Sequence, residues 1–182
     1  MIKQIKLEII IICIIIISCY FIYPIYSILT LFWFIIYFYL KLKGKYDILN
    51  QKEKRLWIFT AYFYPLIEAV FKIFIIKNII PYSWNFINRT EHLIFSIVIT
   101  LLLYPLMKLT IKKLNSIESF IFIVGLVISI GIFNEFFEYV LRLHYHLTDS
   151  FHFSIYYWDT IYDMFMNLLG AIIGFFIIKK LK

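Results

Sequence analysis

Apolar runs long enough to cross a bilayer follow one another along the whole chain, at 5–23, 25–40, 56–80, 93–107, 120–141 and 160–178. A crossing helix needs about 20 predominantly apolar residues. A backbone inside hydrocarbon must satisfy its own hydrogen bonds, so such runs are read as helices. Hydrophobic residues are 63% of the chain and charged residues 16%, against about 45–50% and about 25% in soluble domains. The expected fold class is therefore all-α: a polytopic membrane helix bundle of about six transmembrane helices. The 182 residues leave no room for a separate soluble domain, so the expected organisation is one transmembrane domain, 1–182. Within it, an N-terminal hairpin over 5–40 is broken at Pro24. The third run contains Pro65, Glu68 and Lys72; it is the span most open to a kink or to an interfacial position, and Glu68 and Lys72, four apart, are expected to neutralise each other.

The basic residues report topology. Lys3 and Lys6, Lys41 to Arg55, Lys108, Lys112 and Lys113, and Lys179, Lys180 and Lys182 fall on one side of the six crossings, while Lys77, Arg89 and Arg142 fall on the other. Cytoplasmic loops hold the excess of Lys and Arg, which predicts that both termini are cytoplasmic and that the chain lies in the inner membrane as a multi-pass protein. The net charge of +7 is scattered over helix ends rather than gathered on a face, which excludes a nucleic-acid partner. Cys13 and Cys19 lie six apart in the first run and do not face one another on a helix, so no local disulfide is expected. The stretch from Ile16 to Cys19 loosely fits a lipoprotein cleavage box, but another apolar helix follows it instead of a polar tether. Trp33, Trp57, Trp84 and Trp158 read as interface anchors.

Ionisable groups at membrane depth are expensive and usually functional. The last third of the chain has several: Glu135 and Glu138, then a His-bearing connector, then Asp159, Asp163 and Asn167, followed by Gly170 and Gly174. At about 1.5 Å per residue, Glu135 and Glu138 lie in the outer third of the fifth run. The sixth run returns inward, so its opening turns bring Asp159, Asp163 and Asn167 to the same outer-leaflet depth. Glu91 and His92 begin the fourth run, which also enters from outside. Residues three or four apart share a helix face, so Glu135 pairs with Glu138 and Asp159 with Asp163 and Asn167. Gly170 and Gly174 continue the second stripe as small residues that seat the sixth helix against a neighbour, either within the chain or in a homo-oligomer.

This layer points to three chemistries. His92, Glu135, Glu138, Asp159 and Asp163 offer nitrogen and oxygen ligands for a divalent metal. Glu135, Asp163 and His92 are also the candidates for acid and base catalysis. The same carboxylates would serve a proton or cation relay. His144, His146 and His152 of the connector read as solvent-facing or interfacial. Each acid also has a structural reading: Glu138 precedes Arg142 by four in the order favourable to an ion pair, and Asp159 suits a helix cap.

The set of His92 at the head of an apolar helix, Glu135 and Glu138 on one face, and Asp163, Asn167, Gly170 and Gly174 at fixed spacing resembles the VanZ-like and YjdF-like small bacterial membrane proteins of the DUF2238 type. The likeness spans about 88–178. Asn88 stands where the family's usual Asp would be, the Arg expected shortly before the last motif is absent, and Asp159 with Trp158 is additional; these departures tilt the likeness toward the YjdF-like branch. The resemblance implies a multi-pass membrane protein linked to the cell envelope and brings no settled reaction. The leading expectation is an outer-leaflet acidic and His-bearing pocket that binds or processes an envelope-related lipid or lipid-linked ligand, with membrane lipids as partners and a divalent cation as the candidate cofactor. A transporter or relay is the alternative, disfavoured because the sixth helix offers no polar residue below Asn167. A structural or assembly partner in the membrane is the third.

Overall fold

The computed structural model describes residues 2–22, 24–79, 85–144 and 153–181, with side chains at 8–18, 20–21, 30–79, 86–140, 143 and 157–181. Six helices follow in order: α1 (Ile2–Ile22), α2 (Pro24–Leu42), α3 (Gln51–Ile76), α4 (Asn85–Ile111), α5 (Ser116–His144) and α6 (Phe153–Leu181). No strand occurs among the described residues. Four helices have stretches long and apolar enough to cross a membrane, at Gln51–Ile76, Phe86–Ile111, Ser116–Val140 and Tyr157–Leu181, and α1 and α2 add the shorter apolar stretches Glu8–Ser18 and Thr30–Leu42. Many large apolar side chains remain exposed, Phe21, Phe133 and Ile117 among them, as befits helices whose outer faces meet lipid.

The helices gather into two compact units, Met1–Trp84 and Asn85–Lys182. In the first, α2 opens on Pro24, whose missing N–H costs nothing at a first helical position. Asn50 then starts α3 by a capping box: its side chain accepts from the Glu53 N–H at 2.9 Å and its own N–H donates to Glu53 Oε2 at 2.6 Å. The same device starts α5, where Asn115 and Glu118 exchange bonds of 2.8 and 2.9 Å. Each cap satisfies N–H groups that a helix end leaves open.

Two of the expected interface tryptophans are instead core residues. Trp57 is 1% exposed and stacks on Tyr37 with ring centroids 4.6 Å apart. Trp33 is also buried, and its indole N–H donates to the Ala61 carbonyl at 2.9 Å. The reason lies in Pro65: proline has no N–H to give the carbonyl four residues earlier, so the third span's Ala61 oxygen needs another donor, and Trp33 supplies it. α3 thereby continues through Pro65 as one helix. Trp33→Phe should leave that carbonyl unpaired and cost about 1–3 kcal/mol, lowering the thermal midpoint of the detergent-purified chain. Adding Pro65→Ala, which restores the backbone donor, should remove most of that loss; an additive double mutant would reject this account. Of the other two tryptophans, Trp158 is exposed and Trp84 lies outside the described residues. Cys13 is exposed, and the side chain of Cys19 lies outside the description.

In the second unit α4 packs along α6, and α5 packs against both. Hydropathy places the starts of the fourth and sixth helices too late, at 93 and 160, whereas the helices begin at Asn85 and Phe153. Backbone hydrogen bonding does not depend on side-chain polarity, so both helices extend about two turns beyond their apolar runs. His92 and Asp159 are consequently inside helices, not at their first turns, and Asp159 is not a cap.

Candidate functional site

The seam between α4 and α6 is a meeting of two stripes. On α4, Asn88, His92, Ser96 and Thr100 recur every fourth residue, so they share a face. On α6 the opposing face presents Asp163, Asn167, Gly170 and Gly174. A Cβ at Gly170 would come 2.4 Å from the Leu93 carbonyl oxygen and 2.7 Å from Ser96 Cβ, and one at Gly174 would lie 2.8–2.9 Å from three atoms of the Thr100 side chain. The two glycines thus let α6 approach α4 almost to backbone contact. That face is filled from within the chain, which leaves it no room for a second subunit.

Close approach brings the polar halves of the stripes together. Asn88 Nδ2 donates to Asp163 Oδ2 at 2.8 Å, and Ser96 Oγ donates to Asn167 Oδ1 at 2.7 Å. The second bond directs the Asn167 amide nitrogen toward His92 Nδ1, 3.5 Å away. A third helix then contributes: Glu135 Oε1 on α5 lies 3.5 Å from His92 Nδ1, while Asp163 Oδ2 lies 3.5 Å from His92 Nε2. The imidazole sits between two carboxylates, one at each ring nitrogen. Gly131, one turn before Glu135, makes the space that Asn167 uses, since a Cβ there would meet Asn167 Nδ2 at 2.7 Å.

His92, Glu135 and Asp163 each offer a ligand atom, all within 4.8 Å of one another. His92 is 6% exposed and Asp163 1%, and Asp163 Oδ1 is buried with no hydrogen-bond partner among the described residues. An unsatisfied buried carboxylate oxygen is costly, about 1–3 kcal/mol or more, and such atoms call for an ion, a water or a catalytic use. A nitrogen and two carboxylate oxygens form a donor set that Zn, Mn or Mg accepts in different geometries. With the ring protonated, the same trio instead holds a proton directed at each carboxylate.

The remaining expected residues fall around this trio. Glu138 accepts from Asn134 Nδ2 on its own helix at 2.8 Å and is outside the trio of convergent ligand atoms, as is Asp159. Both are half-buried and near enough for their charges to act on Asp163. Arg142 and His144 have side chains outside the described residues, as are His146 and His152 altogether. Ser96, Thr100 and Gly131 were missed from sequence, and Asn88 was read as a departure from a family pattern and as the start of a chance Asn-Arg-Thr acceptor pattern, not as a site residue. The four-residue period from Asn88 to Thr100 was the available signal; Gly131 had none, because its neighbour Asn167 belongs to another helix.

The chain belongs to the family described as Predicted membrane protein (DUF2238), whose family model matches residues 4–181. No curated protein and no solved structure matches it.

Proposed function

We propose that this membrane protein holds a divalent cation between His92, Glu135 and Asp163, and uses it to bind the polar headgroup of an envelope-related lipid or lipid-linked ligand. On this reading the site lies in the outer leaflet of the bacterial cytoplasmic membrane with both termini inside, which the basic-residue asymmetry supports. The observation that carries the reading is the convergence of three ligand atoms from three helices within 4.8 Å of one another, together with a buried Asp163 oxygen that has no hydrogen bond among the described residues. Charge supports it as well. Two carboxylates buried together repel, and a divalent ion offsets both, which makes the arrangement tolerable at membrane depth. Asn88 acts on the Asp163 oxygen opposite the open one, the part an outer-shell group takes in orienting a ligand. In nanodiscs, the chelator-stripped full chain should take up about one Mn2+ saturably, read from loss of the free-ion EPR signal, and Zn2+ should compete. Absence of saturable binding by Mn2+, Zn2+ and Mg2+ alike would remove the cation from the proposal.

A proton relay is a second reading, favoured by the α4 stripe. Below His92 it continues through Ser96, Thr100, Tyr104 and Lys108, all buried, so the absence of polar residues on α6 below Asn167 does not close the path. From Asn88 to Lys108 the stripe rises about 30 Å, the thickness of the hydrocarbon core. Under this reading Thr100→Val and Tyr104→Phe should each cut proton flux into acid-loaded proteoliposomes at least about tenfold while Mn2+ uptake stays unchanged; wild-type liposomes no leakier than empty ones would dismiss it.

A further inference from the structure

Beside the trio stands a cation that it does not use. Arg89, three residues before His92 on α4 and so about one turn away, lies with its guanidinium over the ring of Tyr162, Cζ 4.0 Å from the centroid. Tyr162 immediately precedes Asp163, and its ring meets that of Trp158, one turn back along α6, at 6.2 Å. The Arg89 Nε is buried without a hydrogen bond, and no carboxylate pairs with Arg89 among the described residues, although the acids Asp159, Asp163 and Glu138 are grouped at this same end of the unit. A guanidinium at membrane depth ordinarily faces a counter-charge. Here the guanidinium carbon lies over an aromatic ring, a contact that uses none of its N–H groups in a hydrogen bond and so leaves N–H groups for an oxyanion. Tyr162 and Trp158 are 41% and 57% exposed, an aromatic flank of the kind that sits where apolar tails meet polar headgroups.

We infer that Arg89, held over the ring of Tyr162, is an anion-binding group for a phosphate on the ligand, so that a phosphate would sit between Arg89 and the cation of the trio. This rests on the proposed cation site for its second contact and adds the ligand's chemical class. Arginine suits the task because its planar fork matches two oxygens of one phosphate, whereas a cation alone would accept a carboxylate or a hydroxyl equally well. The phosphate could belong to a lipid headgroup or be free in solution, and the two sources are separable.

The test uses the full chain in nanodiscs made from neutral lipid, with three probes: dioctanoyl phosphatidic acid, dioctanoylglycerol, and inorganic phosphate, each titrated with Mn2+ and with chelator. The wild type should bind the phosphatidic acid and not the phosphate-free dioctanoylglycerol. Arg89→Gln should weaken that binding at least about tenfold, the usual worth of a hydrogen bond to a charged group, with Mn2+ affinity unchanged as the evidence of an intact fold. Arg89→Lys should recover only part, since a point charge lacks the fork, and Tyr162→Leu, which leaves the guanidinium in place without its platform, should weaken binding by a smaller factor. Inorganic phosphate binding as tightly as phosphatidic acid would assign the phosphate to a soluble source, whereas much weaker binding would assign it to a lipid. Phosphatidic acid bound by Arg89→Gln as by the wild type, or dioctanoylglycerol bound equally well, overturns the inference while leaving the cation site standing. Arg89-dependent binding that persists in chelator upholds the anion site and removes the cation as its partner.

Discussion

Asp163→Asn should abolish saturable Mn2+ uptake, a loss greater than about 100-fold in affinity, while leaving the thermal midpoint of the purified chain equal to or above that of the wild type. The two readouts move apart for a physical reason. The carboxamide is nearly isosteric, so its oxygen can still accept from Asn88, which now donates at 2.8 Å, and the α4–α6 seam stays closed. Taking a charge out of a buried site that holds a second carboxylate 3.5 Å from the same imidazole relieves repulsion and desolvation, and such exchanges are often neutral or stabilising. What is lost is one of the two anionic ligands. Asn88→Ala, which removes only the outer-shell donor, should cost about 10–100-fold, the range typical of that shell. If the acids merely orient helices, the pattern reverses: Asp163→Asn would lower the midpoint and no cation affinity would exist to lose. Wild-type Mn2+ affinity in the asparagine variant would sink the assignment of Asp163 as a ligand.

Gly170→Ala should destabilise the second unit and weaken cation binding although every donor atom remains. The added Cβ would sit 2.4 Å from the Leu93 carbonyl oxygen and 2.7 Å from Ser96 Cβ. The first obstacle is backbone in the middle of a helix and cannot turn aside, so α4 and α6 must part. Overpacking of this kind costs typically 1–3 kcal/mol. The parting also stretches the Ser96–Asn167 and Asn88–Asp163 bonds, which span the same seam at 2.7 and 2.8 Å, and so withdraws His92 from Asp163. Gly174→Ala makes the useful contrast. Its obstacles are all atoms of the Thr100 side chain, whose hydroxyl is tied to the Ser96 carbonyl at 2.6 Å. Thr100→Ala, which removes Cγ2 and Oγ1 but keeps the Cβ 2.8 Å away, should therefore rescue Gly174→Ala in part, and Thr100→Gly should clear all three obstacles, whereas no side-chain truncation on α4 should rescue Gly170→Ala. Thermal unfolding in detergent alongside Mn2+ titration checks these variants, and a Gly170→Ala protein as stable and as cation-competent as the wild type would show that the two helices are not so close.

These expectations mark where sequence reading stopped. Periodicity within one helix was legible: Asp159, Asp163 and Asn167 on one face, and Glu135 and Glu138 on another. Helix boundaries were less so, because hydropathy follows side chains while the helix follows its backbone bonds; hence the starts two turns early at Asn85 and Phe153. Trp33 and Trp57 looked like interface anchors because tryptophan is enriched at membrane interfaces, and only the Ala61 carbonyl that Pro65 leaves without a backbone donor explains why Trp33 is inside.

By itself, then, the sequence determined that the chain is an all-helical membrane protein, and which side chains on each helix point the same way. Those properties follow from the apolar length of each run and from 3.6 residues per turn, both local. The tertiary structure alone decided that α4 and α6 touch along Gly170 and Gly174, that Glu135 rather than Glu138 turns toward His92, and that Arg89 rests on Tyr162. The rotation of one helix against another is set by which small residues permit contact and which polar groups find partners across it. Both ends of each such contact lie in different helices, and no single helix's periodicity contains the other end.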